Sequence, residues 1–264
     1  MNIELSLIGM GTGHPDHLTG QGVAALRQAE LVLLPEKGEN KAELSALRRD
    51  LCGRLLAGLG TVVAPFDMPE RVGAESDYFG AVDRWHDDIA QVWLETIERH
   101  LPAGGRVALL IWGDPSLYDS SLRIAARLAQ RTRLTTSVVP GITALQALTA
   151  AHAIALNDIN APVLITTGRQ LRERGWPADA DTVAVMLDGQ CAFQTLDPQD
   201  LQIWWGAYLG MPQQLCFSGA LAEVAPLILR ERAQARARHG WIMDTYLLKK
   251  ATCTGQSAPT HHAN

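Results

Sequence analysis

Arg106-Val-Ala-Leu-Leu-Ile-Trp-Gly-Asp-Pro-Ser-Leu-Tyr118 joins an almost wholly apolar run to a turn built on Gly113, Asp114 and Pro115. An apolar run without polar alternation suits a strand whose sheet is covered by helices on both faces. Pro102-Ala-Gly-Gly105 breaks whatever helix precedes it. The stretch therefore predicts a central strand of a mainly parallel sheet over 106–112, with a loop over 112–118 at its carboxyl end. Taken alone, that loop is also an ordinary type I turn, where Asp and Pro are favoured. Its position matters more, because open α/β sheets place their ligands beyond the carboxyl ends of their strands.

Upstream, residues 4–9 read as a short apolar strand that runs into Gly9-Met-Gly-Thr-Gly13 and then a helix over 19–30. The pattern repeats with a strand over 31–34, a helix over 41–56 and a strand over 61–66. A longer helix is predicted over 77–101, where Val82, Trp85, Ile89, Trp93, Ile97 and Leu101 recur at steps of three or four. Downstream come a helix over 120–130, a strand over 134–139, the turn Pro140-Gly141 and a small-residue helix over 143–151. The polar stretch 156–162, with Asn157, Asp158 and Asn160, is the best linker. Beyond it strands are more closely spaced, over 163–167, 182–187, 201–208, 214–217 and 241–248, with a helix most clearly over 222–238. The expectation is an α/β fold of two α/β domains, 1–156 and 157–251, the second with a more antiparallel sheet, followed by a disordered tail over 252–264.

At 264 residues, 47% hydrophobic and 19% charged, the chain can build one large or two small cores. A formal net charge of −5 argues against broad nucleic-acid binding, which needs a surplus of Lys and Arg. The surplus is only local, in Arg123, Arg127, Arg131 and Arg133, in Arg169, Arg172 and Arg174, and in Arg230, Arg232, Arg236 and Arg238. These clusters read as solvated helix faces or as clamps for a small polyanion. No signal-peptide pattern and no bilayer-length apolar run are present, so a cytoplasmic location and no membrane partner are expected. Cys52, Cys191, Cys216 and Cys253 are far apart and read as free thiols. No His and Cys fall at ligand spacing, and His261-His262 lacks a partner, so no metal is expected.

Three loops follow strands and carry the chemistry. In the first, Gly9, Gly11 and Gly13 allow a sharp turn and close approach to a ligand. The loop departs from a dinucleotide fingerprint: position 14 is His, Pro15 interrupts the helix start, and the second strand ends in Leu33-Leu34-Pro35 without an acid for a ribose. The second is the Gly113-Asp114-Pro115 loop. The third is Val139-Pro-Gly-Ile-Thr-Ala144, where Thr143 can cap the next helix or offer its hydroxyl to a ligand.

In this order and spacing the three loops resemble the tetrapyrrole methylase family. The resemblance implies two α/β domains that form a dimer, with S-adenosylmethionine folded in the cleft between them and a tetrapyrrole as substrate. Longer strings extend it over nearly the whole chain: Trp112-Gly-Asp-Pro-Ser-Leu-Tyr-Asp-Ser120, Asn157 after His152, Ile165-Thr-Thr-Gly-Arg169, Val185-Met-Leu-Asp-Gly189, Trp205-Gly-Ala-Tyr-Leu-Gly210 and Gly240-Trp-Ile-Met-Asp-Thr-Tyr-Leu-Leu248. They are similar to the branch that methylates carbon 1 of precorrin-5 and releases its acetyl group as acetate in cobalamin biosynthesis.

Carried over singly, Trp112, Gly113, Asp114 and Leu117 would meet the methionine part of the cofactor, chiefly through backbone. Thr143 and Ala144 would line the same pocket, while Met186, Leu187 and a Ser218-Gly219-Ala220 turn would approach the adenosine. Gly11, Thr12 and Gly13 would shape the tetrapyrrole trough, and Arg169 is the first choice for a substrate carboxylate. For the deacetylation, which calls for a base and an oxyanion donor, the candidates are Tyr118, Glu36, Lys37 and His14, with His17 beside it. Two departures stand out: Thr12 falls where relatives often have Pro, and Pro35-Glu36-Lys37 stands where methylases of uroporphyrinogen carry an Asp. Trp204, Trp205 and Trp241 read as core residues rather than a stacking platform. The rival readings are a family enzyme acting on another tetrapyrrole, a protein or an RNA, a non-catalytic S-adenosylmethionine-binding subunit, and a nicotinamide oxidoreductase.

Overall fold

Strand β4 (Gly104–Ile111) is buried from Val107 to its end, and its alternate residues feed two different cores. Val107, Leu109 and Ile111 pack with Ile89, Trp93 and Ile97 of helix α3 (Tyr78–His100), whereas Ala108 and Leu110 pack with Leu26, Leu51 and Cys52. Leu26 belongs to α1 (Gly20–Gln28), and Leu51 and Cys52 to α2 (Ala42–Leu55). Two helix-covered faces explain why the sequence of this strand shows no polar alternation.

A computed structural model describes residues 1–36, 42–71 and 78–250. Lys37, the expected starts of the second and third helices at 41 and 77, and the expected tail over 252–264 lie outside the described residues. Around β4, strands β1 (Asn2–Gly9), β2 (Leu31–Glu36), β3 (Val62–Asp67) and β5 (Arg133–Val139) form a five-stranded sheet of order β3-β2-β4-β1-β5. Every pairing in it is parallel. The carboxyl ends of the adjacent strands β4, β1 and β5 thus share one edge, and the three glycine-bearing loops leave from it.

Helix α4 (Ser121–Leu128) packs on α3, and α5 (Ala144–His152) leads away from the sheet. Although the expected boundary at 156 assigns α5 to the first unit, Leu145, Ala147 and Leu148 pack against Ala184 and Leu247 of the second sheet and Leu209 just beyond one of its strands. The short apolar face of α5 finds its partner there.

That second sheet has the order β6-β7-β10-β8-β9. It comprises β6 (Val163–Thr167), β7 (Thr182–Met186), β8 (Leu201–Ala207), β9 (Leu215–Ala220) and β10 (Asp244–Lys250). Only β6 and β7 run parallel; β7, β10, β8 and β9 alternate in direction. Helices α6 (Gly168–Arg174) and α7 (Leu221–His239) complete this half. Among the described residues no helix is long and apolar enough to cross a membrane.

Candidate functional site

At the edge of the first sheet the first two loops are bound to each other through backbone, and the third packs against both. Gly11 and Gly113 exchange two hydrogen bonds, at 3.2 and 2.8 Å, and the Met10 N–H donates to the Ile111 carbonyl at 2.8 Å. A Cβ on Gly141 would lie 2.2 Å from the Gly113 carbonyl oxygen and 2.7 Å from the Gly9 Cα. Gly9, Gly11 and Gly141 are thus required by their neighbours, whereas Gly113 is required by its own φ of +68°.

Asp114 is the clasp. One carboxylate oxygen accepts from the Ser116 N–H at 2.8 Å and from the Ser116 hydroxyl, and the other accepts from the Gly141 N–H at 2.7 Å. Burial alone would raise its pKa, but these hydrogen bonds outweigh it and hold the carboxyl below the usual value. A carboxylate with three bonds to its own loops is a scaffold, not a free base. Since the native pKa is depressed, its stabilising contribution is present above the unfolded value and is lost as pH falls through the lower, folded one. We expect Asp114→Asn to remove that contribution, so that its unfolding midpoint falls less steeply than the native protein's on acidification below pH ~4. Parallel acid-denaturation curves would contradict this.

Thr143 forms a full capping box on α5: its hydroxyl accepts from the Gln146 N–H at 3.3 Å, and its own N–H donates to the Gln146 side chain at 2.8 Å. The loop after β4 continues to Tyr118, at φ +51° and 43% exposed.

The facing wall comes from the second sheet. A buried network holds it: Arg232 grips Asp244 through Nε at 2.8 Å and a terminal nitrogen at 3.2 Å, and the Trp205 indole donates to the same carboxylate at 3.0 Å. Asp188 accepts from the Tyr246 hydroxyl at 2.6 Å and from the N–H groups of Gln190 and Ala192 at 3.1 and 2.5 Å. Burial first, then the Asp188 charge, pushes the Tyr246 phenol far upward. Gly168 is needed here, since a Cβ would sit 2.3 Å from the Asp188 carboxyl carbon. Leu187, which follows β7 at φ +52°, is left 66% exposed. From the first half, Glu43 of α2 reaches across to the Trp241 indole at 2.9 Å and the Gln213 amide at 2.7 Å.

Between the two walls lies a cavity of about 580 Å³, within the size range of small-molecule sites. Of the residues singled out in the sequence, Trp112, Gly113, Asp114 and Leu117 line it, as do Thr143, Ala144, Met186 and Leu187. Thr12 and Tyr118 line it too, while Gly11 and Gly13 do not, although a Cβ on Gly13 would lie 2.4 Å from Met211 of the lining.

Other expected positions are elsewhere. Ser218-Gly219-Ala220 is not a turn: the backbone continues β9 as an edge strand paired with β8, Ala220 opposite Gln202, and neither Gly219 nor Ala220 lines the cavity. Arg169 stands in the first turn of helix α6, in keeping with a solvated helix face for its cluster, and ion-pairs with Glu173 at 3.7 Å, outside the cavity lining. His14 caps a 3-10 turn, its ring nitrogen 3.1 Å from the Asp16 N–H. His17 bonds the Thr12 hydroxyl at 3.3 Å, its pKa lowered by burial and by the neighbouring His14. Glu36 is tied to Arg49. None of His14, His17 and Glu36 lines the cavity.

Arg232 and Arg236, from a cluster read as a solvated face or a polyanion clamp, line the cavity, and so do residues that sequence reading missed: Asp119, Asp188 and the run Trp241–Thr245. The signal for the last was visible, because Gly240-Trp-Ile-Met-Asp-Thr lies within one of the strings that carried the resemblance. Trp241, read as core, is both buried and part of the lining. Among the described residues no group of His, Cys, Asp or Glu could hold a metal ion.

Residues 4–225 match the sequence profile of the Tetrapyrrole (Corrin/Porphyrin) Methylases. The chain belongs to that family. Among tetrapyrrole methylases, a precorrin-6A synthase [deacetylating] from a Sinorhizobium species is 44% identical over 94% of this chain and 95% of its own. A solved structure described as a cobalamin synthesis related protein (CobF), from Corynebacterium diphtheriae, superposes with a TM-score of 0.82 at 37% identity, covering 96% of this chain and all of that one. The tetrapyrrole methylase fold extends to uroporphyrin-III C-methyl transferase of Thermus thermophilus, solved with S-adenosyl homocysteine, at a TM-score of 0.56 and 18% identity over 94% of this chain and 98% of that one.

Proposed function

We propose that this chain is an S-adenosylmethionine-dependent C-methyltransferase of cobalamin biosynthesis, which methylates precorrin-5 at carbon 1 and releases the acetyl group as acetate to give precorrin-6A. The observation that carries the reading is a cleft whose floor is the three bound loops, in a chain 44% identical over 94% of its length to a precorrin-6A synthase. The residues present suit the cofactor. Met186 and the unusually exposed Leu187 offer an apolar flank for an adenosine, and the glycine loops bring bare backbone to the cavity. Trp112, Gly113, Asp114, Leu117, Thr143 and Ala144 would hold its methionine end.

When bound, S-adenosylmethionine supplies an electrophilic methyl group, so the protein needs no strong nucleophile of its own. The work left to these residues is to hold cofactor and macrocycle in line, which is where proximity and orientation act. Of the catalytic candidates among the described residues, Tyr118 is the one that lines the cleft. Burial raises its pKa, so at neutral pH its phenol is protonated and serves as a hydrogen-bond donor to a developing oxyanion, not as a base. The family resemblance also supports a cytoplasmic homodimer.

The test is calorimetric titration with S-adenosylhomocysteine, followed by mass spectrometry of the product made from precorrin-5. Micromolar binding and a methylated, deacetylated product are expected. Absence of binding would sink the methyltransferase reading, and a methylated product that retains its acetyl group would move the chain to another branch.

A further inference from the structure

Six charged side chains line the cleft, and nearly all of them are already committed to the protein. Asp114 holds Ser116 and Gly141, Asp188 holds Tyr246, Gln190 and Ala192, and Arg232 and Asp244 hold each other. Asp119 accepts one bond, from the Ser121 N–H at 2.7 Å. Arg236 differs: among the described residues its guanidinium has no hydrogen bond and no ion pair.

The residue is exposed, and its place on the helix is fixed through backbone. Arg236 lies one helical turn beyond Arg232 on α7, so the two share a face, and the Gly240 N–H closes the helix on its carbonyl at 2.9 Å. Its neighbours on the helix differ from it, since Arg230 pairs with Glu231 at 3.0 Å and neither Arg230 nor Arg238 lines the cleft. An arginine fork that the protein leaves unsatisfied, in a wall whose acids are engaged, matches a carboxylate bidentately.

We propose that Arg236 is the residue of the cleft that recognises a carboxylate of the bound ligand, a role that the sequence assigned to Arg169. The inference rests on the functional reading above. The carboxylate has two sources in that chemistry: the amino-acid end of the cofactor and an acid side chain of the tetrapyrrole.

The experiment compares native protein, Arg236→Gln, Arg236→Lys and, as control, Arg238→Gln. Affinities are measured for S-adenosylhomocysteine and for 5′-methylthioadenosine, which lacks the amino acid, together with KM and kcat for precorrin-5. A charge-assisted bidentate contact predicts a loss of about tenfold or more in Arg236→Gln, partly restored in Arg236→Lys and absent in Arg238→Gln. If the loss is in S-adenosylhomocysteine affinity but not in that of 5′-methylthioadenosine, the carboxylate is the cofactor's. If both affinities hold and KM rises with little change in kcat, it is the substrate's. Unchanged affinities and KM in Arg236→Gln would overturn the proposal while leaving the methyltransferase reading intact. A native protein that binds neither thioether overturns that reading, and the role of Arg236 with it.

Discussion

Gly141→Ala is expected to weaken S-adenosylhomocysteine binding by at least about a hundredfold, equivalent to roughly 2.7 kcal/mol. The added methyl has no soft neighbour to displace. It would sit 2.2 Å from the Gly113 carbonyl oxygen and 2.7 Å from the Gly9 Cα, both of them backbone in strands' exit loops. Relief requires the three loops to part, which also lengthens the 2.7 Å bond from the Gly141 N–H to Asp114. Gly20→Ala is the matched control, because nothing lies within 4 Å of the position a Cβ would take there. Calorimetry of the two variants side by side decides it, and a Gly141→Ala protein that binds like Gly20→Ala would refute the three-loop floor as the binding element.

The second large effect is on stability. Asp244→Ala removes the only carboxylate among the described residues that pairs with Arg232, whose side chain is 10% exposed, and strands the Trp205 indole as well. Truncating one partner of a buried pair costs about 3–5 kcal/mol, because the remaining charge is left desolvated and unpaired. For a chain of this size that corresponds to a fall in Tm of about 10 °C. Replacing both partners with apolar residues, in Arg232→Met with Asp244→Leu, should recover much of the loss. Thermal unfolding that shifts by less than ~2 °C in Asp244→Ala would mean that the pair is solvated and that the wall does not depend on it.

The first half of the cleft was legible because its parts are short and contiguous: each loop follows an apolar run, and Gly, Asp and Pro announce a backbone that bends. The second half is assembled otherwise. Asp188, Arg232 and Asp244 are distant in sequence and meet only through tertiary hydrogen bonds, which no local pattern encodes. Helix α6 could be given no bounds, beyond a cluster of arginines read as a solvated helix face or a clamp, for a related reason. In Gly168-Arg-Gln-Leu-Arg-Glu-Arg174 only Gly168 and Leu171 are buried, so no apolar stripe marks it. At β10 the periodic signal began at Trp241, yet the ladder starts at Asp244, and the intervening residues turn into the cleft. The resemblance implied a turn at Ser218-Gly219-Ala220, whereas pairing with β8 keeps it extended.

Glu43 gives the cleft a property that neither wall has alone. To swing the halves apart, its carboxylate must release both the Trp241 indole and the Gln213 amide, and the indole N–H belongs to a residue only 7% exposed. The protein therefore meets its ligand with the binding surface already organised, and little of the interaction energy is consumed in ordering it.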